Sequence, residues 1–140
     1  MFTEVRDVLN NYRDAVYEKD VEKFLSGYAP DVHIFDCWQE WQFNGIEQWK
    51  DVVDEWFGGL VEEGVLLQAE LYDESLKESE DLAHVHGSVS FTAFDKTGKE
   101  LRKMKNRFTF VLGKAEGSWR IIHEHSSLPI STEDGKGIFG

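Results

Sequence analysis

The residue with the most chemical content is Asp36, in the stretch PDVHIFDCWQEWQFNG at residues 30–45, where it shares a parity with Val32, Ile34 and Trp38. Alternate residues of a strand share a face, so this spacing predicts a carboxylate in line with apolar side chains. An isolated buried carboxylate is costly. Asp36 therefore reads either as a structural group, paired with an arginine or capping a turn, or as a working group in a pocket. Four other positions carry similar content. Tyr12 falls within the stripe Val5, Val8, Leu9 and Val16, as a core tyrosine or as one facing a ligand. Asn106 shares a parity with Met104, Phe108, Phe110 and Leu112, as an amide bridging strands or as a pocket donor. His123 and His125 alternate with Glu124 on the parity of Trp119 and Ile121. Of this pair His125 is the better acid–base group or donor. Trp38, Trp56, Phe108, Ile121 and His123 complete the predicted lining of an apolar pocket.

A second histidine pair, His84 and His86, raises the question of a metal site. The two pairs are predicted on opposite sheet faces, with neither a cysteine cluster nor a helical His-x-x-x-His beside them, so no metal is expected. The sequence has no glycine-rich phosphate loop, nucleophile elbow or Ser-His-Asp order, and no cofactor is expected.

The elements that must position these groups follow from periodicity. Residues 3–19 have the three- and four-residue spacing of an amphipathic helix, with Thr3 as its cap. Asp20 caps a second short helix reaching Tyr28, and Ala29-Pro30-Asp31 ends it. A strand over 32–38 follows, then a loop or short bulged strand. Gly45 leads into a third helix over 46–60, whose end Gly58-Gly59 weakens. Beyond Val65 the period becomes two. Strands are predicted over 65–72, 84–93, 101–112 and 119–127; the acidic stretch 73–81 reads as an extension or a turn, and Asp95-Lys96-Thr97-Gly98 as a hairpin. Helices first and strands afterwards make an α+β chain: three helices packed on a strongly curved, mainly antiparallel sheet. One domain over residues 1–128 and a mobile tail over 129–140 are expected.

Bulk properties narrow the class. The chain has 140 residues, 41% of them hydrophobic and 14% aromatic, which suits a single domain with a real core. Its net charge of −12 repels nucleic acid. One cysteine, Cys37, permits no internal disulfide, the N-terminus lacks an apolar leader, and no run approaches the ~20 apolar residues of a membrane span. A soluble cytoplasmic protein is the expectation.

Taken in order, Tyr12 on the first helix, Tyr28-Ala29-Pro30-Asp31, the Asp36 strand, Gly45 before the third helix, and Trp119-x-Ile121-x-His123-x-His125-x-Ser127 resemble the SnoaL-like and ketosteroid-isomerase-like proteins. The resemblance covers about residues 3–128. It implies the cone fold that these families share with nuclear transport factor 2 and the kinase association domain. It also implies roles: Asp36 as the general base, Tyr12 as a donor to the substrate oxygen, and Asn106 in the place of the protonated aspartate of the oxyanion hole. Asparagine there departs from the family, since its amide donates without a carboxylic acid's tuned acidity.

Two classes of function follow. One is an enzyme that moves a proton on a small apolar carbonyl compound, with Asp36 as base and Tyr12, Asn106 or His125 stabilising the enolate. The other is a ligand-binding or assembly module without turnover. The polar face His84, His86, Ser88, Ser90 and Thr92 suits a homodimer contact.

Overall fold

The structure is a computed structural model that describes all 140 residues. Three helices, α1 (Val5–Glu18), α2 (Val21–Leu25) and α3 (Ile46–Glu63), pack on a sheet of six strands. The strands are β1 (Tyr28–Phe35), β2 (Phe43–Asn44), β3 (Leu66–Glu78), β4 (Leu82–Phe94), β5 (Glu100–Ala115) and β6 (Ser118–Ser127). The sheet order is β2-β1-β6-β5-β4-β3. Every neighbouring pair is antiparallel except β1 with β6, which is parallel. The α+β architecture expected from the periodicity is the one found.

Each helix turns its apolar stripe to the concave face of the sheet. In α1, Val5, Val8, Leu9, Tyr12, Ala15 and Val16 are all buried, as are Trp49, Val53, Phe57 and Leu60 of α3. The cap of α1 is Glu4 rather than Thr3, because Glu4 and Asp7 form a reciprocal capping box. Asp20 caps α2 as expected, its carboxylate accepting from the Lys23 N–H at 3.0 Å. That helix stops at Leu25, because Tyr28 already belongs to β1. Gly58 and Gly59 do not end α3. The helix runs on to Glu63, and Gly64 terminates it in a left-handed conformation, φ 73°.

Two irregularities shape the sheet. The first is a bulge in β3 between Tyr72 and Ser75, with Asp73 at φ 52°. The acidic stretch after residue 72 is thus a strand extension that bends. Gly87 of β4 lies under this bend; a Cβ there would stand 2.9 Å from the Tyr72 carbonyl and 3.0 Å from the Glu74 Cα. Arg6 of α1 reaches the same bulge and pairs with Glu74 at 2.6 Å.

The second irregularity lies in β6. Val111 pairs with His123 and Leu112 with Ile121, so Ile122 has no cross-strand partner. One extra residue reverses the side-chain parity downstream. Trp119 and Ile121 point into the core, but beyond the bulge Glu124 and Ser126 are the buried residues. His123 and His125 turn to the outer face, contrary to the expectation from strict alternation. There they flank Val111 and Thr109 of β5, whose other neighbours are His84 and His86 of β4. The two histidine pairs therefore share a face rather than opposing one another.

The first strand also ends earlier than its alternation implies. Asp36 and Trp38 lie beyond Phe35, in the loop that leads to β2. Residues 129–140, expected to be mobile, fold back on the domain. Ile130 bridges to Gly137, the Lys105 N–H donates to the Phe139 carbonyl at 3.0 Å, and the Phe139 ring stacks on Trp38 with centroids 5.6 Å apart. No helix is long and apolar enough to cross a membrane.

Gly87 and Gly59 test this account as a pair. Gly87→Ala pushes a methyl into backbone and should cost about 1–3 kcal/mol. Gly59→Ala adds a methyl in open space inside a helix, with nothing within 4 Å, and should stabilise by about 0.5–1 kcal/mol. Urea denaturation of both variants checks the opposite signs.

Candidate functional site

The concave face of the sheet and α3 enclose a cavity of about 920 Å³. Its walls are apolar: Trp49, Val52, Trp56 and Leu60 from α3, Leu67 from β3, Phe91 and Ala93 from β4, and Met104 and Phe108 from β5. Its rim is charged and exposed, with Glu40, Asp51 and Glu55 on one side and Arg102 and Lys103 on the other. Arg102 is engaged by Glu63 through two hydrogen bonds, at 2.5 and 2.7 Å.

Four polar side chains that are buried or half-buried line this apolar space: Tyr12, Asp36, Asn106 and Glu124. Tyr12 arrives from the buried stripe of α1. Its ring packs against Phe24, Phe108 and Phe110, and its hydroxyl makes no hydrogen bond within the protein. Asp36 arrives because β1 stops one residue before it, which lets the chain turn inward. The Ser126 hydroxyl donates to Asp36 Oδ1 at 3.1 Å and accepts from the Cys37 N–H at 2.9 Å. Glu124 is 1% exposed. It faces inward only because of the Ile122 bulge, and its Oε1 accepts from the Tyr28 hydroxyl at 2.5 Å.

Neither carboxylate has a cationic partner; all five ion pairs of the chain lie elsewhere. Burial pushes Asp36 above the usual aspartate range. The Ser126 hydroxyl and the backbone N–H groups of Trp38 and Cys37 oppose that rise by favouring the anion. Burial acts more fully on Glu124 and raises it to about 8, with the Tyr28 bond opposing and the nearby Asp36 charge adding to it. Two neighbouring carboxyl groups are thereby held apart, with Glu124 the one kept neutral. Tyr12 is raised well above an ordinary phenol by burial, and then by the charges of Glu124, Asp36 and Cys37.

Of the residues singled out in the sequence, Asp36, Tyr12, Asn106, Trp38, Trp56 and Phe108 line the cavity together. Ile121 is core, 1% exposed. His123 and His125 lie outside; His123 Nδ1–H donates to the His33 carbonyl at 2.6 Å, and His125 packs edge-on against Phe35. Asn106 also differs from its expected role. Its amide nitrogen donates to Cys37 Sγ at 3.2 Å, and its carbonyl oxygen is the end left free. Alternation missed Glu124 and Ser126. The available signal was the doublet Ile121-Ile122, two adjacent apolar residues that break a period of two. No cluster of three or more histidine, cysteine, aspartate or glutamate residues is placed to hold a metal ion.

The SnoaL-like domain family matches residues 5–131, and the chain belongs to that family. An NTF2-like protein of unknown function from Pseudomonas putida superposes with a TM-score of 0.84 at 26% identity, over 98% of this chain and 92% of that one. A nuclear transport factor 2-like superfamily protein from Salmonella enterica serovar Typhimurium gives 0.68 at 19% identity, over 94% and 93%. The protein Aln2 from a Streptomyces species gives 0.76 at 12% identity, over 89% and 87%. The last two show the shared fold alone. No curated protein matches the chain.

The buried Glu124 carries a pH signature. Below an unfolded value near 4.5 both states are protonated and its burial adds no pH-linked penalty. As the pH rises from there to about 8, the unfolded chain releases the proton while the folded chain retains it. Folding stability falls over that window and levels off above it. Glu124→Gln keeps an acceptor for Tyr28 and removes the titration. Its stability advantage over wild type should grow between about pH 4.5 and 8, to on the order of 4 kcal/mol. Urea melts of both proteins at several pH values measure that gap.

Proposed function

We propose that the cavity binds a small apolar carbonyl compound and catalyses proton transfer at the carbon beside the carbonyl. The observation that carries this reading is a pair of carboxyl groups, Asp36 and Glu124, that line one apolar cavity with no cationic partner. Asp36 is the base. Its Oδ1 is engaged by Ser126, so Oδ2 takes the proton. As the C–H bond breaks, its electron pair moves into a C–C double bond and negative charge grows on the carbonyl oxygen. Neutral Glu124 donates to that oxygen through Oε2, since Oε1 is occupied by Tyr28. The Tyr12 hydroxyl is a second donor. Preorganised donors in a water-poor site stabilise such charge more than water does. Return of the proton from Asp36 to a different carbon would complete an isomerisation.

Membership of the SnoaL-like family supports a small-molecule site of this kind. Fold alone does not choose between turnover and simple binding. One observation favours the second reading, ligand binding without chemistry: the Ser126 hydroxyl already takes part of the electron density of Asp36.

The test needs no knowledge of the natural substrate. Wild-type protein should accelerate hydrogen–deuterium exchange at C2 of 1-tetralone in heavy water, followed by proton NMR. Asp36→Asn should lose at least about 100-fold of that rate, and Glu124→Gln about tenfold. The wild-type rate should fall as the pH passes about 8, where Glu124 loses its proton, and this limb should vanish in Glu124→Gln. An Asp36→Asn variant that exchanges at the wild-type rate would overturn the mechanism. Tight binding of the ketone with no exchange in wild type would establish the second reading.

A further inference from the structure

The turn that carries Asp36 is braced by three other segments of the chain. Ser126 of β6 donates to the Asp36 carboxylate at 3.1 Å and accepts from the Cys37 N–H at 2.9 Å. Asn106 of β5 donates through Nδ2 to Cys37 Sγ at 3.2 Å. The third brace comes from the C-terminal tail. The Phe139 ring stacks on Trp38, with the two planes 17° apart. Trp38 lines the cavity, and its backbone N–H favours the charged form of the Asp36 carboxylate.

The path of the tail explains how that ring arrives. β6 ends at Ser127, opposite Arg107 of β5. Pro129 follows closely and has no N–H with which to extend the ladder. The part of β5 before Arg107 is therefore left without a β6 partner. The tail returns to it. The Ser131 N–H donates to the Lys136 carbonyl and the Ile138 N–H to the Pro129 carbonyl, both at 2.8 Å, which closes the tail into a loop. Phe139 comes next, and its carbonyl accepts from the Lys105 N–H at 3.0 Å, beside Asn106. The same stretch of β5 thus anchors two of the three braces.

Trp38 is 44% exposed and Phe139 43%, and neither belongs to the hydrophobic core. Phe139 supplies the only aromatic ring paired with Trp38. The residues that follow, Gln39 to Gln42, are all exposed. We propose that Phe139 is a positioning residue for Asp36: its ring holds Trp38 down on the turn, and the tail thereby fixes the carboxylate against the cavity. The family match ends at residue 131, short of Phe139, so the family pattern does not account for this brace. That Phe139 fixes the turn rests on these contacts. That fixing the turn serves catalysis rests on the proton-transfer reading above.

Cys37, the one cysteine of the chain, is a built-in reporter of the turn. It is half-buried, its sulfur is engaged by Asn106, and burial pushes its thiol above the ordinary range. Alkylation by iodoacetamide, followed by mass spectrometry, should be slow in wild type and about tenfold or more faster in Phe139→Ala. Phe139→Tyr keeps a ring to stack and should react near the wild-type rate. The carbon-13 resonance of the Asp36 carboxyl should move in Phe139→Ala and return in Phe139→Tyr. For exchange at C2 of 1-tetralone, Phe139→Ala should lose about tenfold in kcat with KM within about threefold of wild type. Wild-type alkylation in Phe139→Ala overturns the inference whatever the exchange assay shows. So does alkylation as fast in Phe139→Tyr as in Phe139→Ala. Faster alkylation with an unmoved Asp36 resonance and an unchanged kcat overturns it too, since Phe139 would then cover the turn without placing the base. Where wild type shows no exchange, the proton-transfer reading fails and the Asp36 resonance alone decides the positioning.

Discussion

In β6 the chain carries one residue more than its neighbour β5 can pair, and that residue is Ile122. The sheet absorbs it by reversing which side chains face inward. Without the bulge, the residues on the inner face at this point of β6 would be His123 and His125. With it, they are Glu124 and Ser126. The pair Ser126 and Asp36, the pair Tyr28 and Glu124, and the position of the Cys37 N–H all depend on this shift. A strand offers two faces, and one inserted residue decides which set of groups meets the cavity.

The electrostatic consequence is unusual for a chain so rich in charge. Acidic residues outnumber basic ones by 27 to 15, and none of the basic ones pairs with Asp36 or Glu124. A buried carboxyl group, Glu124, and a half-buried one, Asp36, thus line one cavity with hydroxyl and backbone N–H donors as their only support. Like charges at close range resist double ionisation, and apolar walls add to the resistance. The arrangement costs stability and yields two carboxyl groups of different character in one cavity. Glu124 also supplies the one acceptor of the buried Tyr28 hydroxyl, so a single side chain both closes a core hydrogen bond and lines the cavity.

Much of this was legible in the sequence, for identifiable reasons. The helical stripes of α1 and α3, and the strict alternation of β4 and β5, are periodic over enough residues to define their faces. They placed Tyr12, Asn106, Phe108 and Trp56 at the cavity. Asp36 also reached it, but by a different route from the one its parity suggested: β1 ends at Phe35, and the turn beyond it delivers the carboxylate. What alternation could not convey was a change of phase. The β6 bulge leaves only the doublet Ile121-Ile122 as its trace, and the histidine pair was assigned to the wrong face for that reason. The run-on of α3 past Gly58-Gly59 has a similar origin. Glycine weakens a helix locally, but packing of Phe57 and Leu60 into the core holds this one together. The contact of Phe139 with Trp38 is long-range and had no local signal.

The central claim is that Asp36 and Glu124, which line one cavity without a cationic partner, ionise in separate steps, Glu124 at the higher pH. Carbon-13 NMR titration of the side-chain carboxyl groups, assigned with Asp36→Asn and Glu124→Gln, measures this directly. The account predicts that the Glu124 resonance titrates near 8, with Asp36 ionising well before it as the pH rises. A Glu124 resonance that titrates in the ordinary glutamate range, or one that follows Asp36 through the same transition, would contradict it.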